Sequence, residues 1–210
     1  LWSALLLLNI TRGVILDSGA NDGRTTVMLA KAFPKHVIWS IEPLEVNVQA
    51  IHAKARQLSN VRIIHGGLGD ALTFSSYPSF LDTKEAGVQT GVIDNYKQHR
   101  RASQRRLFPI YTIDALMEHH TLAFAHIDVE GSEVDVLQGA ENTLERDCPP
   151  ISVETFPITN SSRHKHLLKI LADIDYECKI LHEVCGHPPD CRNMICIPKE
   201  CKKVSAHRPP

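Results

Sequence analysis

No apolar run in this chain is long enough to cross a bilayer. The longest, LWSALLLL at 1–8, falls far short of the ~20 residues that a spanning helix needs. It reads as an amphipathic helix packed on the domain, and a membrane would be reached only through an anchor upstream of Leu1. An excess of one charge sign is missing too: 23 Lys and Arg against 24 Asp and Glu leave a formal net charge of −1. No global field therefore steers the protein toward nucleic acid or an anionic membrane. The basic stretch at 97–106 has no interleaved aromatics on which bases would stack, so it reads as a solvated loop, and no nucleic-acid partner is expected. No internal repeat is visible, which excludes solenoids and propellers. The C-x2-C knuckles of zinc ribbons are absent as well, and no metal site is assigned.

The chain has 210 residues, 43% hydrophobic and 22% charged. That is ordinary globular composition and length for one α/β domain. Apolar β-rich runs alternate with helix-period segments, the pattern of a parallel sheet covered on both faces. Strands are expected at Val14–Ser18, Val37–Ile41, Val61–His65, Leu122–Val129 and Ile151–Thr155. Helices are expected at Asp22–Phe33, in the stretch carrying Val48, Ile51, Ala55 and Leu58, and at Glu133–Leu144 and His164–Ala172. Residues 71–106 are the least regular and read as a lid or an insertion. Tyr176–Leu181 and Met194–Ile197 form a candidate terminal hairpin. The organisation is a domain over 1–181 followed by a Cys-rich tail, 182–210, that supplies the last strand.

Three constellations carry chemistry. In DSGANDG (17–23), Asp17 closes a strand and Gly19, Asn21 and Gly23 turn the chain into a helix. Small residues let backbone approach a ligand, and the helix N-terminus offers N–H groups to an anion. The spacing G-x-N-x-G departs from the G-x-G-x-x-G of dinucleotide sites. It suits a methionyl carboxylate, with Asp17 suited to an ammonium or sulfonium. Glu42 follows the second strand, where an acid in a nucleotide-binding βαβ unit accepts ribose hydroxyls. In HIDVEGSE (126–133), Asp128 falls near the C-terminal end of a strand, the edge at which open α/β sheets hold ligands. His126 shares its strand face. Ser132 is placed to cap the next helix with Asp135 in its first turn. The plainer readings are that Glu130 and Glu133 favour the helix dipole and that His126 is a hydrogen-bonded core residue.

Taken in order, DSGANDG, IEP (41–43), GGLGD (66–70), TIDAL (112–116), IDVEGSEVDVLQGA (127–140) and ISVET (151–155) resemble the FkbM-type methyltransferases. The resemblance runs over roughly residues 10–180. It implies a Rossmann-like α/β fold: a mostly parallel seven-stranded sheet with an antiparallel last strand and helices on both faces. It also implies S-adenosylmethionine as cofactor, with Asp17, Gly19, Asn21, Gly23, Glu42, Gly67, Leu68 and Asp128 as its binding residues. The acceptors it implies are hydroxyls of sugars or small metabolites, either free or in glycans. A sugar hydroxyl is a poor nucleophile and benefits from a nearby base, for which Asp128, Glu130 and His126 are the candidates. An alternative use of Asp128, with Glu154 at the end of the neighbouring strand, is to hold a divalent cation. Ser18, Gly66-Gly67, the basic stretch and the Cys-rich tail depart from the family's usual pattern. Two other functions share these features: an S-adenosylmethionine-binding module without turnover, and a nicotinamide-dependent oxidoreductase.

Six Cys, four of them within 185–201, together with the sequons at Asn9 and Asn160, tip the expected location toward the secretory lumen over the cytosol. Adjacent residues of a strand point to opposite faces, so Cys191 and Cys196 should not face one neighbour. Two pairings stay open: Cys185–Cys191 across a Gly-Pro loop, or Cys178–Cys196 between paired strands.

Overall fold

A computed structural model describes residues 8, 10, 12–82, 104–158, 160–181 and 191–201. The 1–8 run and Cys185 therefore fall outside or almost outside the described residues, as does most of the basic stretch. Among the described residues, no helix is long and apolar enough to cross a membrane.

Seven strands form the main sheet: β1 (Val14–Ser18), β2 (Val37–Glu42), β3 (Val61–His65), β7 (Leu122–Ile127), β8 (Ile151–Thr155), β9 (Tyr176–Ile180) and β10 (Arg192–Pro198). Their order is β3-β2-β1-β7-β8-β10-β9. All neighbours pair in parallel except β10, which runs antiparallel to both β8 and β9. The last strand is thus the antiparallel one, inserted between β8 and β9. VILDS of β1 is buried at every position, as expected of a central parallel strand covered on both faces.

On one face, Leu16, Ile41, Ala125, Ile127 and Val153 pack against α3 (Ile113–Leu116), α4 (Glu133–Gln138), α5 (Glu141–Asp147) and α6 (Ser161–Asp173). On the other, Ile15, Ile38 and Phe124 meet Leu29 and Ala30 of α1 (Arg24–Ala32). α1 lies beside α2 (Glu45–Ala55).

Three expectations are corrected. The helix expected over Glu133–Leu144 is two helices, broken at Gly139-Ala140. The Gly139 carbonyl accepts the Asp114 N–H at 2.9 Å instead of a helical one. The Asp114 carboxylate then accepts the N–H groups of Asn142 (3.2 Å) and Thr143 (2.8 Å), capping α5. Gly139 also sits so close to the next loop that a Cβ there would lie 2.1 Å from the Gly69 carbonyl oxygen.

The second correction concerns the irregular region. β5 (Thr73–Pro78) pairs antiparallel with β6 (Arg105–Tyr111), and β4 (Gly67–Leu68) joins them in a separate three-stranded sheet. Phe108 and Tyr77 of this sheet are buried with Leu44 and Leu81, whereas Phe74 and Leu107 are exposed. The third is the end of β7, which stops at Ile127 because Asp128 begins the turn toward α4.

Two disulfides between described residues tie the tail down. Cys178–Cys196 joins cross-strand partners of β9 and β10, with Cα atoms 4.0 Å apart. Cys148–Cys201 closes a separation of 53 residues and was not suggested by spacing.

Candidate active site

The sheet order reverses at β1, whose neighbours are β2 and β7. Open α/β sheets form their crevice at such a switch point. Here a cleft of about 640 Å³ opens over the C-terminal ends of β1, β2, β7 and β8. The small sheet supplies a further wall through Thr73, Phe74, Tyr77, Phe108 and Ile110. These wall residues were not legible in the sequence, since they come from a segment with no clear period.

The glycine turn forms the floor. Gly19 adopts φ 74, and a Cβ there would lie 1.7 Å from the Asp128 carbonyl oxygen, so no other residue fits. Asn21 (φ 50) and Gly23 (φ 80) are also left-handed, and Gly23 packs against Ile51 of α2. Four of the turn's N–H groups are used internally. Gly19 and Ala20 N–H both donate to the Ile41 carbonyl at 3.1 Å, and Gly23 N–H donates to Ala20. Asn21 N–H donates to Glu42 at 2.9 Å. These four bonds fix the turn as a floor of small residues beneath the cleft, at whose edge Asp22 and Thr25 also lie.

Glu42 closes β2 and is only 4% exposed, yet it lines the cleft. Its Oε1 accepts from Leu44 N–H (2.9 Å) and Asn47 Nδ2 (3.2 Å), while Oε2 takes Asn21 N–H. Burial raises its pKa, against these hydrogen bonds, which lower it. Oε2 keeps acceptor capacity. Gly67 and Leu68 line the same cleft.

Asp17 does not line it. The side chain is fully buried beneath the turn, where the Thr26 hydroxyl donates to Oδ2 and Oδ1 meets no hydrogen-bond partner. Burial pushes its pKa up to about 7, with the nearby Glu42 charge adding to the rise. Asp17 therefore anchors α1 to β1 rather than presenting a charge to a ligand.

The opposite rim is built by β7 and β8. Asp128 N–H donates to the Ser18 carbonyl at 3.1 Å, stitching the end of β7 to β1. His126, 5% exposed, sits beside Asp17 in the β1–β7 register and reaches the cleft. Asp128 and Glu154 are hydrogen-bonded to each other. Burial and the crowd of carboxylates from Glu130 and Glu133 push both pKa values up, Asp128 to about 7 and Glu154 to about 10. The pair is therefore set to share a proton. Cys191 Sγ lies 3.0 Å from Glu154 Oε1; Cys191 is disulfide-bonded, so that sulfur has no proton to give.

Glu130 is half-buried with φ 52 and lines the cleft. Glu133 turns away: its Oε1 accepts Gly131 N–H at 2.9 Å and its Oε2 lies 3.8 Å from Arg163. Ser132 holds the N-cap position but makes no side-chain cap bond. Glu133 serves the turn there instead. The structure thus brings Gly19, Asn21, Glu42, Gly67, Leu68, His126, Asp128 and Glu130 to one cleft and leaves Asp17 and Gly23 behind its wall.

The fold is shared with several solved structures. They include an FkbM methyltransferase from Methylobacillus flagellatus (TM-score 0.63, 19% identity, 90% of this chain and 45% of that one). A precorrin-6y C5,15-methyltransferase from Geobacter metallireducens is also similar (0.56, 11%, 94% and 85%). So is Aeropyrum pernix fibrillarin, solved with natively bound S-adenosyl-L-methionine (0.54, 17%, 93% and 74%). The chain thus spans less than half the length of the Methylobacillus protein. No curated protein matches the chain. The Methyltransferase FkbM domain, in contrast, matches residues 17–178, from the Asp17 strand end to β9, and the chain belongs to that methyltransferase family.

Proposed function

We propose that this protein is an S-adenosylmethionine-dependent O-methyltransferase acting on a hydroxyl of a sugar or small metabolite. The observation that carries the reading is Glu42: a buried carboxylate tied to the glycine turn, with acceptor capacity left at the cleft surface. Such a group suits a ribose diol, which donates two hydroxyls. Leu44, Leu68 and Phe108 supply apolar wall for a flat base. Fibrillarin, of similar fold, binds this cofactor in its own crystal.

When bound, S-adenosylmethionine supplies a methyl group already activated on a positive sulfur. The protein's remaining work is to align an acceptor and take its proton, and alignment alone lowers a barrier by ~7–11 kcal/mol at best. Asp128 takes that proton in this reading. Burial raises its pKa to about 7, and the hydrogen bond with Glu154 holds it in place. Among the described residues, the wall carries Asp22, Glu42, Asp70, Asp128, Glu130, Asp135 and Glu154 against one arginine, Arg24. That charge balance opposes a phosphate-rich acceptor and the pyrophosphate of a nicotinamide cofactor. The disulfides support an oxidising compartment such as the secretory lumen as the place of action.

Calorimetry with S-adenosylhomocysteine and with NAD, followed by methyl transfer to a panel of sugars, tests the reading. Saturable binding of the first alone is expected. Binding of NAD alone would return the protein to the oxidoreductases, and cofactor binding without turnover on any hydroxyl acceptor would leave a binding module.

A further inference from the structure

We propose that Asp128, Glu130, Glu154 and Asn193 form a site for one divalent cation of the hard, oxygen-preferring kind. A carboxylate oxygen from each of Asp128, Glu130 and Glu154 lies within 4.8 Å of the others. Two of these residues come from the turn after β7 and the third from β8, so the cluster is fixed by strand pairing and not by one mobile loop.

Asn193 supplies the second, independent observation. It is 6% exposed, and its Oδ1 meets no hydrogen-bond donor. Buried amide oxygens are normally satisfied, and one without a donor points to a missing ligand. Its Cα partner across the antiparallel β8–β10 pair is Glu154. Directly opposed residues project from the same sheet face with Cβ atoms ~4.5–5.5 Å apart, so the amide stands beside the Glu154 carboxylate.

The donor set also narrows the class of ion. Calcium bonds oxygen at ~2.3–2.6 Å, placing opposite ligands roughly 4.6–5.2 Å apart. Carboxylate oxygens that lie within 4.8 Å of one another fall inside that span. Manganese and magnesium, with ligands at ~2.0–2.2 Å, share the preference for oxygen. An all-oxygen donor set of three carboxylates and an amide excludes the preferences of zinc and copper. Asp128 and Glu130 line the cleft, so the open coordination positions face the place of the acceptor. There a cation would ease loss of the acceptor's hydroxyl proton. That use rests on the methyl-transfer reading; binding of the cation does not.

The test is titration of the whole chain with Mn²⁺, following free Mn²⁺ by electron paramagnetic resonance, with circular dichroism and S-adenosylhomocysteine calorimetry on the same samples. One Mn²⁺ per chain is expected. Glu154→Gln should weaken it roughly tenfold or more, as should Glu130→Gln, whose half-exposed position keeps the fold safe, and Asn193→Ala should weaken it several-fold. Folded wild-type protein showing no saturable uptake at millimolar Mn²⁺ would overturn the site. So would unchanged affinity in both carboxylate variants. Unchanged affinity in Asn193→Ala alone would remove that residue from the ligand set. If Mn²⁺ binds and S-adenosylhomocysteine does not, the cation site stands and the methyl-transfer reading falls. The reverse result sinks the site alone.

Discussion

Replacing Asp17 with Asn is expected to stabilise the protein above neutral pH and flatten its pH dependence. The carboxyl is fully buried, ionises near 7 in the folded protein, and has one oxygen without a partner. In the unfolded chain it ionises at 3.8. Because the folded pKa is the higher, the folded state binds this proton more tightly. Stability from this group is complete below about pH 4 and is lost as pH rises through 7. The full loss at alkaline pH is about 4 kcal/mol, more than half of it falling between pH 5 and pH 8.

Asn keeps the shape and can still accept from Thr26, but it does not titrate. Its amide replaces an acid O–H that had no acceptor at Oδ1 either, so the exchange costs little in contacts. Urea unfolding of both proteins at pH 5 and pH 8 gives four stabilities. The difference of differences isolates Asp17 from Glu42, Asp128, Glu133 and Glu154, which also carry raised pKa values. Equal pH dependence in the two proteins would refute the reasoning, and with it the reading of Asp17 as a buried anchor.

Four further outcomes follow from the same geometry. Glu42→Ala should weaken S-adenosylhomocysteine binding by ~1.5–3 kcal/mol in a folded protein, read by calorimetry; unchanged affinity removes Glu42 from the ribose. Gly19→Ala forces a Cβ into the Asp128 carbonyl at 1.7 Å, so melting temperature and cofactor affinity should fall together; survival of both would show the turn is slack. Asp128→Asn should cut turnover far more than melting temperature, and intact activity would pass the proton to Glu130 or His126. Separating Cys178 from Cys196 by double replacement with Ser should cost ~2–4 kcal/mol, measured by urea unfolding of oxidised protein, and peptide mapping that finds both thiols free would remove the bridge.

Much of this was legible from residues alone because it depends on local pattern. The strand Val14–Ser18 is marked by an unbroken apolar run ending in an acid, and the structure starts and stops it at the same residues. DSGANDG announces a turn because Gly and Asn tolerate left-handed backbone, which Gly19, Asn21 and Gly23 adopt. Glu42 was found by its distance from that turn along a βαβ unit, a spacing set by element lengths. The antiparallel last strand came from the resemblance and from the terminal hairpin together.

What local pattern could not reach was decided by contacts between distant segments. The break in the helix after Gln138 comes from Asp114, which takes the Gly139 carbonyl and caps the next turn from elsewhere in the chain. The Thr73–Pro78 strand has no apolar alternation of its own and exists because Arg105–Tyr111 pairs with it. Asp17 looked like a ligand from its place in the motif, but the register of β1 with β7 and the packing of α1 turn it under the floor. Glu154 and Asn193 lie on strands 37 residues or more apart in sequence and meet because β10 is inserted beside β8. A one-dimensional reading sees which residues alternate and which can turn. Which carboxylates share a proton or face one cleft depends on strand order, set by the three-dimensional fit of the two packed faces.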